Sequence, residues 1–232
     1  LKTPVPKKNP EPRWERRSAE RPLEIITAAV RLFSQKGFAA TRLDEVAKNA
    51  GLSKATLYLY FNSKEHLFEA VIKEFVSPKI DKIEAISDTF DGANSKILYQ
   101  FFEVLRTFLS GHQAALLKIV VTEANNFPIL FELWSNLSLL RMNKLLTHVI
   151  ERGIEQGEFK KVNVQSQIAL VMAPLFMLAM WQECVEPHFS AIRFDKEQII
   201  KSHRDAVIAS LLNSPLEIAP RKKAKKILEN HT

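Results

Sequence analysis

A single cysteine, Cys184, stands among 232 residues, so no internal disulfide can form and the chain suits the reducing cytoplasm. Glycine is also scarce, with 6 residues. That argues against a glycine-rich nucleotide-binding fold and against a turn-dense β-sandwich. Long apolar runs are missing. The longest, Ile168 to Trp181, covers 14 residues and contains Pro174, short of the ~18–20 that cross a bilayer. The start, LKTPVPKKNPEPRWERRSAER, has no apolar stretch behind its charges, so no secretory signal is read there. The six histidines show no metal-ligand spacing beside cysteines or carboxylates. No membrane segment, metal or cofactor is expected.

What remains is ordinary globular material, 46% apolar and 25% charged, enough for a sizeable core. The net charge of +7 is unevenly spread. Residues 1–64 hold 13 Lys/Arg against 6 Asp/Glu, residues 65–214 hold 15 against 18, and residues 215–232 hold 5 against 2. A basic N-terminal module beside a mildly acidic body suits a reader of phosphate backbones that has a second job. Solubilising basic tails would give the same totals.

Helical periodicity runs through nearly the whole chain. Leu23, Ile26, Ala29/Val30 and Phe33 fall on one face. Pro22 suits a first turn, and Gly37 suits a left-handed terminus. Thr41-Arg42-Leu43-Asp44 reads as a capping box for a second helix, which Gly51 ends. Ser53 caps a third helix, and Asn62-Ser63-Lys64-Glu65 a fourth. Further helices are expected at about 63–76, 78–87, 94–109, 112–125, 127–156, 163–184 and 195–212. The 127–156 segment carries the cleanest stripe, Met142, Leu145, Leu146 and Val149. The expected class is all-α. It divides into a flexible basic arm (1–21), a helix-turn-helix module (22–68), a helical body (69–213) and a basic tail (214–232).

The informative stretch is LDEVAKNAGLSKATLYLY, Leu43 to Tyr60. Apolar or small groups fall at Val46, Ala47, Ala50, Leu52, Leu57 and Tyr60, with Gly51 between two short helices. Ala47 has to be small where the next helix crosses, and Gly51 supplies the positive φ of a tight turn. Leu52 and Leu57 fasten the second helix to the first. Lys54, Ala55, Thr56, Tyr58 and Leu59 are left facing outward, small and hydrogen-bonding groups suited to a major groove.

The segment Leu23 to Val71 resembles the N-terminal domain of TetR-type transcriptional regulators. The resemblance rests on Gly37-Phe38, on Thr41 before the helix pair, and on Gly51-Leu52-Ser53. It continues in Leu57-Tyr58-x-Tyr60-Phe61 and Lys64-Glu65-x-Leu67. It implies a homodimer on double-stranded DNA at a palindromic operator, a C-terminal ligand-responsive domain, and repression relieved by a small-molecule effector. It also implies site residues. Thr41 and Arg42 would lie near phosphates, and Ser53 and Lys54 would start the recognition helix. Ala55, Thr56 and Tyr58 would approach base edges, while Tyr60 and Lys64 would grip the backbone.

In the body, large apolar groups between residues 101 and 181 are core material by default. The resemblance implies a pocket among them. Phe101, Trp134, Met172 and Phe176 are its expected lining, with His112 or Glu123 as polar anchor. Helices 163–184 and 195–212 are apolar on more than one face, which suggests a symmetric four-helix contact with a second subunit. Met177, Trp181, Ile200, Val207 and Leu211 are its expected residues. Pro78 is expected to stop or kink a helix and to act as a pivot.

Other chemistry is weak. Cys184, Glu183 and His188 form no catalytic pattern by adjacency alone, and no catalytic residue is expected. Gly153 to Gly157 reads as a fraying helix end. Two functions stay open: a ligand-released repressor, or a DNA-bound scaffold whose body binds a protein partner. A cavity in the body would favour the first and solid packing the second.

Overall fold

A computed structural model describes residues 13–109, 111–189 and 191–213. The expected tail, 214–232, and residues 1–12 of the expected arm lie outside the described residues. The fold is all-α: eleven α-helices among the described residues and one isolated bridge, Phe159 to Leu212. In order they are α1 (Arg13–Ala40), α2 (Leu43–Asn49), α3 (Lys54–Tyr58), α4 (Lys64–Phe75), α5 (Ser77–Thr89) and α6 (Asn94–Leu109). There follow α7 (His112–Glu123), α8 (Pro128–Trp134), α9 (Leu140–Glu155), α10 (Val164–Met180) and α11 (Lys196–Leu211). A π-helical turn, Ser135–Leu139, joins α8 to α9, and another, Trp181–Val185, extends α10.

Three expectations change here. The helix begins at Arg13, so residues 13–21 are not an irregular arm, and Pro22 lies inside α1 rather than in its first turn. The segment WERRSAER is rich in good helix formers, which accounts for that extension. Gly37 does interrupt the helical path, with φ 81 and ψ 172. The capping box is absent: α2 has Arg42 as N-cap with no side-chain cap bond. Thr41 instead points its hydroxyl back and donates to Gly37 O at 2.7 Å.

The chain forms two compact units. The first comprises the residues up to Pro78 with Ala115–Leu137, and the second Lys79–Ala114 with the residues from Ser138 onward. The expected boundary at 68/69 falls inside α4, whose apolar face (Leu67, Phe68, Val71, Ile72) is fully buried. In the first unit α1 packs on α2 and α4, and α4 on α8. Its centre is a cluster of Phe33, Phe38 and Phe68, ring centroids 5.4–5.6 Å apart, with Phe127 5.0 Å from Phe38. Each such ring stabilises the unit by roughly 1.5–3 kcal/mol through burial.

In the second unit α6 packs on α9 and α11, and α10 on α9 and α11. The expected stripe Met142, Leu145, Leu146 and Val149 is buried. Arg141 of α9 holds Asp81 and Glu84 of α5. Gly153 is not a frayed end: a Cβ there would meet the buried Phe159 ring, so glycine is what permits that ring to lie against α9. Gly157, at φ 73, does end the helix.

Two further expectations are corrected in this unit. Ile200, Val207 and Leu211 are buried by the chain's own packing, 0–5% exposed, so they cannot form a face for a second subunit. The outward apolar groups are on α10: Leu170, Phe176 and Met177, while Trp181 is half-buried. With its π turn, α10 runs continuously from Val164 to Val185, 22 residues. That is long and apolar enough to cross a bilayer, contrary to the expectation from the 14-residue run. Its inner face (Ile168, Val171, Leu175, Leu178) is nevertheless core, and a core helix meets the same criterion.

Candidate nucleic-acid interface and effector site

The helix pair α2–α3 is built by a tight backbone crossing. Leu52 N donates to Ala47 O at 2.9 Å and Gly51 N to Lys48 O at 3.1 Å, with Gly51 at φ 70. Val46, Ala47, Leu57 and Phe61 are buried beneath. Ser53 caps α3 by accepting from Thr56 N at 3.1 Å, and the two hydroxyls pair at 2.8 Å. At five residues, α3 is too short to offer a strong dipole, so attraction to phosphate falls to side-chain cations.

The sequence-expected contacts separate into two groups. Ser53, Lys54, Ala55 and Tyr58 are exposed on α3 and its cap, and Arg42 is exposed at the start of α2. Thr56 and Tyr60 are half-buried. Lys54 pairs with Asp44 at 2.9 Å and lies 5.9 Å from the Tyr58 ring centre. The Asp44 carboxylate, through its hydrogen bond and charge, raises the Lys54 pKa, so the ammonium is fixed as a cation. Arg42, Lys54 and Tyr58, with Thr41 and Lys64 at its wall, line a shallow depression of about 300 Å³.

Two of those expected contacts are structural instead. Thr41 is 1% exposed, with its hydroxyl committed to Gly37 O. Lys64 spends all three N–H donors on carbonyls at and just beyond the end of α1, Phe38 O, Ala39 O and Thr41 O, at 2.7–3.1 Å. Its ammonium also lies 4.4 Å from the Phe38 ring centre, and burial lowers its pKa. An ammonium so engaged has no donor left for a phosphate. Leu59, expected to face outward, stands 83% exposed beside Tyr58.

Residues 25–71 match the family model for bacterial regulatory proteins of the tetR family. That stretch of the chain is similar to the N-terminal domain of the tetR family. The chain is similar to the uncharacterized HTH-type transcriptional regulator YerO of Bacillus subtilis (strain 168), 36% identical over 77 residues, spanning 33% of this chain and 27% of that protein. It is also similar to IcaR of Staphylococcus aureus (strain Newman), the HTH-type negative transcriptional regulator of the biofilm operon icaADBC. That likeness is 27% identity over 192 residues, 82% of this chain and 96% of that one. Among solved structures, FadR from Bacillus subtilis in complex with stearoyl-CoA matches with a TM-score of 0.63 at 19% identity. The match covers 81% of this chain and 98% of that one, and it is a likeness of fold.

The expected effector residues divide between the two units. Glu123 and Trp134 fall in the first unit, Phe101, His112, Met172 and Phe176 in the second. Glu123 is committed elsewhere, accepting Ala39 N at 3.2 Å beside the α1 terminus. Trp134 and Phe101 are core residues, and Phe176 and His112 are exposed. Aromatic and methionine content marks a region as apolar but does not say which side chains face a void.

The second unit does hold a cleft of about 870 Å³, and none of the six lines it. Its walls come from the end of α5, the first turns of α6, Lys160 and the last turns of α11. Four separated segments build it, so no local spacing announces it. Among the described residues no group of His, Cys, Asp and Glu could hold a metal ion.

Proposed function

We propose that this protein is a homodimeric, sequence-specific transcriptional repressor that leaves a palindromic operator when a small apolar or amphipathic effector binds. The observation that carries the reading is the outward set Arg42, Lys54, Ala55, Tyr58 and Leu59 on a rigid helix pair. Cations there serve phosphates, while Ala55, Tyr58 and Leu59 offer apolar and hydrogen-bonding contact to base edges and thymine methyls. Repression is supported by the likeness to IcaR, named a negative regulator. Effector binding is supported by the 870 Å³ cleft and by the kinship of fold with a FadR that holds stearoyl-CoA. The cleft also favours this reading over a protein-binding scaffold. For the dimer, the exposed Leu170, Phe176 and Met177 on α10 supply the face that α11 does not. A twofold pair would set two recognition helices ~34–36 Å apart, one turn of duplex.

The test is selection of bound sequences from a random duplex library. A palindromic consensus is the expected result. Lys54→Ala with Tyr58→Ala should weaken binding to that consensus by about 2–4 kcal/mol while leaving helix content unchanged. Enrichment of no consensus, or equal affinity of the double variant, overturns the reading.

A further inference from the structure

We propose that the cleft of the second unit is a site for an anionic amphiphile, an alkyl chain ending in a carboxylate or similar anion. This deepens the effector reading and rests on it. The floor is apolar and already ordered: Ile97 and Ile208 are buried there, and Ile86, Phe90 and Leu212 complete the walls. A volume of about 870 Å³ lies in the range of sites that enclose small ligands. The polar groups gather where α6 begins and α11 ends. At that junction Lys160 N donates to Leu211 O at 2.7 Å, and Asn213 N to Glu158 O at 3.0 Å. Lys96, one turn into α6, and Lys160 both line the cleft there.

Charge decides the class of ligand. The carboxylates nearby are already engaged. Asp205, which lines the cleft, pairs with Arg204 at 2.8 Å. Glu158 accepts from Asn94 N at 2.6 Å and from Ser95 N at 2.9 Å. Among the described residues, Lys96 and Lys160 have no ion-pair partner. Two ammonium groups outside any ion pair, at one end of an apolar trough, match a ligand with a negative head and a hydrocarbon body. A neutral hydrocarbon would leave that charge unused, and a cation would be repelled.

The experiment is calorimetric titration of the full chain, without DNA, using dodecanoate, dodecanol and dodecylammonium below their aggregation concentrations. Saturable binding in the order dodecanoate, dodecanol, dodecylammonium is expected. Lys96→Gln with Lys160→Gln, both exposed positions, should weaken dodecanoate about fivefold and leave dodecanol unchanged. Gln100→Trp, which fills the cleft from an exposed position on α6, should weaken both. No saturable binding, or a dodecanoate affinity unmoved by the lysine pair, overturns the proposal. A parallel operator titration separates the two readings. Dodecanoate that binds without releasing DNA refutes the effector role and leaves the site standing. Intact binding to the operator consensus with no dodecanoate binding refutes the site alone.

Discussion

The two units solve one problem with opposite charges. In the first, the carbonyl end of α1 is closed by a cation, Lys64, reaching three oxygens. In the second, the amide end of α6 is closed by an anion, Glu158, which accepts from Asn94 N and Ser95 N. Arg152 then secures Asn94 through its side-chain oxygen at 2.6 Å. Each choice follows the sign of the helix terminus it serves. Their acid responses differ. Burial lowers the Lys64 pKa, but acid only adds protons to an amine, so a fall in pH does not remove its charge. For Glu158, burial acts to raise the pKa, but the hydrogen bonds from Ser95 and Asn94 outweigh it and the net shift is downward from 4.5. The closure of the first unit is therefore insensitive to acid, and that of the second is not.

The largest test of this contrast is Lys64→Met. It leaves three carbonyls without their donor, and should cost about 3 kcal/mol in urea unfolding followed through the first unit. A loss of operator affinity with no loss of stability would instead return Lys64 to the DNA contacts. Glu158→Gln comes next, at about 1–2 kcal/mol near neutral pH. Its sign with pH is fixed: a carboxylate with a depressed folded pKa stabilises above its unfolded value, and the benefit disappears as pH falls through the folded value. Unfolding of wild type and Glu158→Gln should thus converge on acidification below about pH 4.5. The smallest effect is expected for Glu123→Gln, under about 1 kcal/mol, because its bond to Ala39 N is single and exposed.

Much of this architecture is legible from local spacing. Helices such as α6, Asn94–Leu109, and the Gly51 turn follow from period and backbone freedom alone. What stays hidden is the direction a side chain takes when two partners compete for it. Thr41 could cap the helix after it or the turn before it, and it does the latter. Lys64 looks like a surface cation until α1 brings its open carbonyls within reach. Ile200, Val207 and Leu211 display an apolar face, but periodicity does not reveal that the chain itself covers that face. The cleft drew on segments more than a hundred residues apart, beyond any local pattern.

The stretch Ala115–Leu137 belongs with the N-terminal helices rather than with its neighbours in sequence. Grafting the reading head of this protein onto a foreign sensor by a single splice at Pro78 would leave behind Phe127, against which Phe38 packs, and Glu123, which holds Ala39. A working chimaera needs a second insert, so gene-fusion engineering here is a two-piece exchange.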